Sequence, residues 1–217
     1  MALPGRFPFK QVGHAGPALE SRLDEVRGGL SLVPPTLLAE RTGATYQRGE
    51  FHLALLGAQL RLTYPDFHAF TSNGESLPVF KQALLVYYFL HSDGTPPAEN
   101  WISFADLPEG RIYSSAFQGY TGDLLAKTFL LDLDAFRSAC QQADGVPAIF
   151  GDAAYRFRAL PRMGLLLVYR LGDEDFPSTC NLLFDANAEH YLPAEACAVL
   201  GSSLAQKVLR ASQKPVL

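Results

Sequence analysis

Residues 153–185 read AAYRFRALPRMGLLLVYRLGDEDFPSTCNLLFD, and most of this stretch has the pattern of β-strands. Two arginines alternate with the apolar residues of 155–159, which predicts a strand with one buried face. The sequence MGLLLVY at 163–169 is apolar throughout, which is typical of a central strand covered on both faces. A polar turn follows, and 179–184 read as a further strand. The stretch therefore predicts a three-stranded antiparallel meander.

A second strand pair lies in the first half of the chain. Apolar and polar residues alternate through 50–56 and again through 58–64. The pair Gly57-Ala58 lies between the two segments, and a Gly-X pair favours a tight type II′ turn. This segment therefore predicts an antiparallel hairpin.

Helical patterns surround both strand clusters. The segment 77–90 is apolar nearly all round, so we expect a buried central helix with Ser76 as its N-cap. Thr36 is the predicted cap of a short helix that ends at Gly43. The first predicted helix begins at Pro17 and stops at Gly28-Gly29, and the others span residues 123–129, 134–143 and 194–210.

The order of these elements predicts an α+β fold. Strands fall in two clusters between helices and do not alternate singly with them. We therefore expect one domain over residues 17–217, with a mostly antiparallel sheet (the hairpin plus the C-terminal meander) packed with helices. Residues 1–16 carry no period and are interpreted as an N-terminal arm.

Composition limits the possible partners and the compartment. The chain has 217 residues, 48% of them hydrophobic, and a net charge of −4 that is evenly distributed. Neither half is basic, so we expect no nucleic-acid surface. The longest strongly apolar run, Ala83–Leu90, is far shorter than the roughly 20 residues that cross a bilayer, so we expect no membrane insertion. The start MALPGRFPFK has no signal-peptide core, and the expected location is the cytoplasm.

The cysteines and histidines predict no metal site. Cys140, Cys180 and Cys197 have the spacing of neither a disulfide framework nor a CxxC motif, and we expect buried free thiols. HxH and HExxH spacings are missing from the sequence. The GxSxG, GxGxxG and P-loop motifs of common hydrolases and nucleotide-binding proteins are missing too.

One group of polar residues in the C-terminal half is a candidate ligand site. An arginine can grip a carboxylate or phosphate, acids can orient it, and a histidine can transfer protons near neutral pH. The members are Asp152, Arg162, Asp185, His190 and Tyr191. We expect the acidic turn 173–175 at the opposite end of the meander from Arg162 and Asp185. The alternative interpretation is an Arg–Asp clamp that holds the last helix on the sheet.

A second candidate group follows the central helix. Its aromatic residues would line a groove beside the acids of the turns. The members are His91, Asp93, Trp101, Asp106 and Tyr113. The alternative interpretation is structural, because Asp93-Gly94 is also a good turn pair.

Three long motifs resemble those of a bacterial and archaeal family known as domain of unknown function 3786. They are HSDGTPPAENWISFADLPEGRIY at 91–113, GDAAYRFRALPRMGLLLVYRLGDEDFPSTCNLLFD at 151–185 and HYLPAEACAVLG at 190–201. Some relatives carry a cysteine-rich iron–sulfur module related to one in corrinoid proteins. The resemblance thus implies a corrinoid or iron–sulfur protein as a partner, although this chain has no such cysteine cluster. Gly164 and Arg170 depart from the Pro and Trp of many relatives.

The function predicted from the sequence is a non-catalytic binding or accessory module. It would dock on a partner protein or hold a small anionic ligand or cofactor. Two alternatives stay open. One is an enzyme of unrecorded type that uses Asp152, Arg162, Asp185 and His190, and the other is an assembly factor for corrinoid or iron–sulfur proteins. The sequence identifies no particular cofactor.

Overall fold

A computed structural model describes residues 17–213, which form an α+β fold. The predicted N-terminal arm, residues 1–16, lies outside the described residues. The helices are α1 Pro17–Leu30, α2 Pro35–Thr42, α3 Val79–His91, α4 Ser114–Tyr120, α5 Gly122–Phe129, α6 Leu133–Gln142 and α7 Ala194–Ser212. The strands are β1 Thr45–Gln47, β2 Glu50–Leu55, β3 Ala58–Thr63, β4 Ala69–Thr71, β5 Trp101–Ser103, β6 Val146–Ala148, β7 Ala153–Leu160, β8 Met163–Arg170 and β9 Thr179–Asp185.

The predicted hairpin is the centre of a four-stranded antiparallel sheet in the order β1-β2-β3-β4. The predicted turn was wrong, because Leu55 pairs with Ala58 and the two loop residues are Leu56 and Gly57. Both have positive φ angles, 48° and 83°, which defines a type I′ turn and not type II′. The Leu56 N–H donates to the Ala159 carbonyl at 2.8 Å, so the tip of the hairpin docks on β7.

The predicted meander forms the centre of a five-stranded antiparallel sheet in the order β5-β9-β8-β7-β6. Strand β8 pairs with β7 on one side and β9 on the other. Its inner-face side chains, among them Leu165, Leu167 and Tyr169, enter the main hydrophobic core. The outer face carries only a small apolar cluster around Leu166 and Val168. One face of this sheet therefore packs on helices, and the other presents side chains outward.

Helix α3 is the apolar centre of the domain, as its sequence predicts. Every residue from Ala83 to Phe89 is buried. The predicted caps were wrong, since Pro78 caps α3 and Pro34 caps α2, and neither helix has a side-chain capping bond. A proline fits here because the first helical N–H groups have no partner within the helix. Among the described residues, no helix is both long and apolar enough to cross a membrane.

Candidate functional site

Four residues form a row across the outer face of the five-stranded sheet. Trp101 of β5 pairs with Asp185 of β9, and Arg158 of β7 pairs with Gly164 of β8. A Cβ added to Gly164 would lie 3.9 Å from Asp185 Cβ, so the two pairs are adjacent. Residues that pair across an antiparallel sheet share a face. The row therefore runs in the order Trp101, Asp185, Gly164, Arg158.

Gly164 leaves a groove in this row because it has no side chain. The Trp101 ring leans over it, and a Cβ on Gly164 would lie 3.2 Å from the indole Cη2. The groove encloses about 330 Å³, within the range of small-molecule sites. Its border also includes the loop residues Pro97 and Glu99 and the turn residues Pro161 and Arg162. The groove thus has an indole on one wall and a guanidinium on the other.

The groove carries an excess of positive charge. Arg156, Arg158 and Arg162 line it, against two carboxylates, Glu99 and Asp185. Arg156 and Arg158 are exposed, and within residues 17–213 neither guanidinium group makes a hydrogen bond or an ion pair. Two unpaired guanidinium groups on one face attract an anion and can bind its oxygens in a bidentate manner.

Asp185 anchors the loop that borders the groove. Its side chain is buried at 2% exposure. The carboxylate accepts hydrogen bonds from the backbone N–H groups of Ala98 (2.9 Å), Glu99 (2.8 Å) and Asn187 (3.0 Å). A buried carboxylate needs such partners, so its oxygens are committed to holding the 98–99 segment against the end of β9.

Arg162 is fixed by its backbone, and its guanidinium group contacts α2. Its N–H donates to the Tyr88 hydroxyl at 3.2 Å, and its carbonyl accepts from the Asn187 side-chain amide at 3.0 Å. One guanidinium nitrogen donates to the Glu40 carbonyl at 2.8 Å, near the C-terminus of α2. Arg162 and Asp185 make no ion pair in the described part of the chain. The alternative interpretation from the sequence was a clamp formed by a direct Arg162–Asp185 pair. In the structure each of the two side chains instead bonds backbone groups of other segments.

His190 and Tyr191 join the two groups that the sequence kept apart. His190 Nδ1 lies 2.7 Å from an Asp93 carboxylate oxygen and 3.2 Å from the Thr95 hydroxyl. The Tyr191 hydroxyl donates to the Thr95 carbonyl, and its ring stacks on Tyr88 with centroids 5.6 Å apart. Desolvation raises the pKa of the Asp93 carboxyl, but hydrogen bonds from Thr95 and His190 outweigh this and bring it to about 2. These contacts fasten the 93–95 turn beside the groove.

Asp152 lies at the other end of the sheet from this region, so its predicted place in the group was wrong. It precedes β7, whereas Arg162 follows the same strand. Its carboxylate accepts the Leu171 N–H at 2.8 Å, and its carbonyl accepts from Arg137 at 3.3 Å. An eight-residue strand separates Asp152 from Arg162, and this length alone prevents their contact.

The remaining four residues of the second group lie in four different places. Trp101 forms the groove wall. Asp106 accepts bonds from the Ser103 hydroxyl and N–H in a capping box, and these bonds lower its pKa. Tyr113 is exposed at the end of a 3-10 turn. His91 stacks on a tyrosine of α3, and burial lowers its pKa. Only Trp101 and Asp93 join residues of the first group.

The sequence interpretation missed Arg156 and Arg158 as site residues. Both alternate with buried positions in β7, which is also the pattern of any solvated strand face. The signal that would have found them is their register. Arg158 lies opposite Gly164, a position without a side chain, and Arg156 lies opposite Leu166 on the same face.

The three cysteines are free and buried, as predicted. All three side chains are fully buried, and this burial raises the pKa of each thiol. Across residues 17–213 no three His, Cys, Asp or Glu side chains gather in a way that could hold a metal ion.

Comparison with known proteins identifies one family. The family model described as a domain of unknown function, DUF3786, matches residues 34–207. The chain belongs to this family. The DUF3786 match includes every residue of the groove. No curated protein and no solved structure matches the chain.

Proposed function

We propose that this DUF3786 protein is a non-catalytic binding module that holds a small anion with a planar ring in the groove between Trp101 and Arg158. The observation that carries the proposal is Gly164, whose missing side chain lets the Trp101 indole lie over the outer sheet face next to Arg158. The indole offers a flat apolar surface for a ring. Arg156 and Arg158 supply the charge for a carboxylate or phosphate.

The scaffold of the groove supports binding and not movement. The loop wall is held by Asp185, and the turn that carries Arg162 is held by Tyr88 and Asn187. Residues fixed in this way lose little conformational freedom when a ligand binds, which favours affinity. Arg156 and Arg158 have no such bonds within the described residues, so their side chains must still be ordered when a ligand binds.

The test uses the single tryptophan of the chain, which is Trp101. Its fluorescence reports directly on the groove when the protein is titrated with phenyl phosphate, inorganic phosphate or benzylamine. Phenyl phosphate supplies a ring and an anion, and the other two probes supply one feature each. We expect the tightest saturable binding for phenyl phosphate and none for benzylamine. Equal responses to all three probes would contradict the proposal.

A charge variant makes the test specific. Replacing Arg156 and Arg158 together by Gln should weaken phenyl phosphate binding at least about tenfold, since a hydrogen bond to a charged group contributes roughly 1.5–3 kcal/mol. Arg210→Gln is the matched control, because Arg210 is an exposed cation near the end of α7. Unchanged binding in the double variant would remove the arginines from the site.

A second candidate function, an enzyme, is favoured by one contact. Asp93 and His190 form a carboxylate–imidazole pair at 2.7 Å with side chains 50% and 40% exposed. Such a pair orients an imidazole for proton transfer. Hydrolysis of p-nitrophenyl acetate or p-nitrophenyl phosphate that is lost in His190→Ala and kept in Glu174→Ala would support the enzyme. Activity that persists in His190→Ala would exclude this role for His190.

A further inference from the structure

Three connecting segments meet at the end of the five-stranded sheet that lies away from the groove. They are residues 130–132, 149–152 and 171–178, and together they are called the distal end here. The Asp152 carboxylate accepts the Leu171 N–H, which joins the second and third segments. The Tyr169 hydroxyl donates to the Leu130 carbonyl at 2.7 Å, which joins the first segment to the end of β8. These bonds fix the three segments side by side.

The distal end exposes large apolar side chains. Ile149 is 98% exposed, Phe176 71% and Leu131 69%. Of the ten large hydrophobic residues that are exposed among residues 17–213, six belong to the distal end, namely Leu130, Leu131, Ile149, Phe150, Leu171 and Phe176. Single exposed apolar residues are ordinary, but a concentration of them marks an interaction surface. The distal end makes up only a small part of the described chain, so the exposed apolar side chains are concentrated there and are not evenly distributed over the surface.

The three segments of the distal end carry only negative charge, and the neighbouring cations Arg137, which donates to the Asp152 carbonyl, and Arg170 lie at its border. Its carboxylates are Asp132, Asp152, Asp173, Glu174 and Asp175, and the three segments contain no Lys or Arg. Glu174 and Asp175 make no ion pair or side-chain hydrogen bond within the described residues. Negative charge beside an apolar surface selects a positively charged partner and repels a second copy of the same surface.

Phe176 is held in place by the turn that carries it. Asp173 accepts hydrogen bonds from the backbone N–H groups of Asp175 (2.9 Å) and Phe176 (2.8 Å). The Gly172 N–H donates to the Ser178 hydroxyl at 2.9 Å, which closes the turn. An aromatic side chain on an ordered turn is the usual form of an interface anchor, because little freedom is lost on binding.

We infer that the distal end is a docking surface for a partner protein whose contact segment carries apolar side chains flanked by Lys or Arg. Phe176 and Ile149 bind the apolar side chains, and Glu174 and Asp175 pair with the cations. This surface is separate from the groove, so it stands or falls independently of the ligand.

The experiment selects peptides from a random twelve-residue phage library on the full-length wild-type chain, with an excess of soluble Ile149→Asp, Phe176→Asp double variant as competitor. We expect enriched peptides that contain apolar residues together with Lys or Arg. The synthetic peptides should bind the wild type at least tenfold more tightly than the double variant or Glu174→Lys, Asp175→Lys, and more weakly as salt rises. Leu32→Asp, Ile112→Asp is the matched control, since it removes equally exposed apolar residues elsewhere.

Three results would overturn the inference. The first is that the enriched peptides bind the Ile149→Asp, Phe176→Asp variant as tightly as they bind the wild type. The second is that the enriched peptides lack Lys and Arg. Alternatively, sedimentation of the wild type alone would show a dimer that the same double variant abolishes, in which case a second copy covers the distal end. Circular dichroism of each variant confirms that loss of binding does not reflect loss of fold.

Discussion

Trp101 leans over Gly164, with the indole Cη2 3.2 Å from the position that a Cβ on Gly164 would take. The glycine is in ordinary strand conformation, so its role here is the space that it leaves and not its backbone freedom. A side chain at this position would have to displace the ring or be displaced by it. The width of the groove therefore depends on one missing Cβ.

The first prediction concerns this space. Gly164→Val should fill the groove floor, move the Trp101 ring into a more solvated position and shift its emission to longer wavelength. Phenyl phosphate binding should fall at least about tenfold, because the displaced indole no longer offers its face to the phenyl ring and aromatic pairs contribute about 0.5–1.5 kcal/mol beyond their buried area. Gly28→Ala is the control, since a Cβ at Gly28 meets no atom within 4 Å. An unchanged emission maximum in Gly164→Val would show that the ring does not lie over this residue.

The second prediction concerns the Tyr88 hydroxyl, which links three elements. It donates to the Thr42 carbonyl at 2.7 Å and accepts the Arg162 N–H. Tyr88→Phe leaves two backbone groups without a partner, which should lower the free energy of unfolding by about 1–3 kcal/mol. Urea denaturation measures the change. Tyr113→Phe, at an exposed tyrosine, should unfold at the wild-type urea concentration. If Tyr113→Phe lost as much stability as Tyr88→Phe, the loss in Tyr88→Phe could not be assigned to its two hydrogen bonds.

The third prediction concerns the contribution of Asp93 to stability at acid pH. The Asp93 carboxyl has a pKa of about 2 in the fold against 3.8 as the ordinary value, so its charged form is favoured by folding. This stabilisation is complete above pH 4 and is lost as the pH falls toward 2. Half of the side chain is exposed, and solvent screening limits the effect to at most about 1 kcal/mol. Asp93→Asn should therefore differ from wild type in urea stability at pH 5 more than at pH 2.5. The exposed Asp66→Asn serves as the control, and a difference that does not change with pH would contradict this account.

The fourth prediction concerns the thiols. Burial raises the pKa of Cys140, Cys180 and Cys197, and the thiolate is the reactive form. Iodoacetamide at pH 8 should leave the folded protein unmodified and label all three cysteines in guanidinium, as measured by intact mass. An added cysteine at the exposed Ser72 should react in the folded state. Rapid labelling of the native wild type would show that the core opens on that time scale.

The sheets were predictable where the strands are long. Strands of six to eight residues show a clear period of two or a continuous apolar run, and the hairpin and meander follow from them. The three-residue strands β1, β4 and β6 are too short for any period, and the sequence interpretation missed them. Helix α4 was also missed, because it has only seven residues and one of them is a glycine. The hairpin turn was misassigned by one residue, since either neighbour of Gly57 satisfies a turn pattern.

The site was less predictable than the fold because it depends on register. Period alone places Arg158 and Gly164 on a strand face, but only the pairing places them opposite each other. The meeting of Asp93 with His190 spans 97 positions and depends on how the loop before β5 lies, which no local pattern encodes. Asp152 could have been excluded from the group without knowing the register, since the length of β7 already separates it from Arg162.

Strand β8 connects the two surfaces proposed above, since it begins beside the groove and ends at the distal end. Its eight residues span about 25 Å at roughly 3.4 Å per residue. An occupant of the groove and a docked protein thus do not compete for space, and a ternary complex is sterically allowed. Strands β7 and β9 also run between the distal end and the groove, so any cooperativity between the two surfaces can pass through three paired strands. Comparing the phenyl phosphate dissociation constant with and without a bound distal-end peptide measures that cooperativity directly.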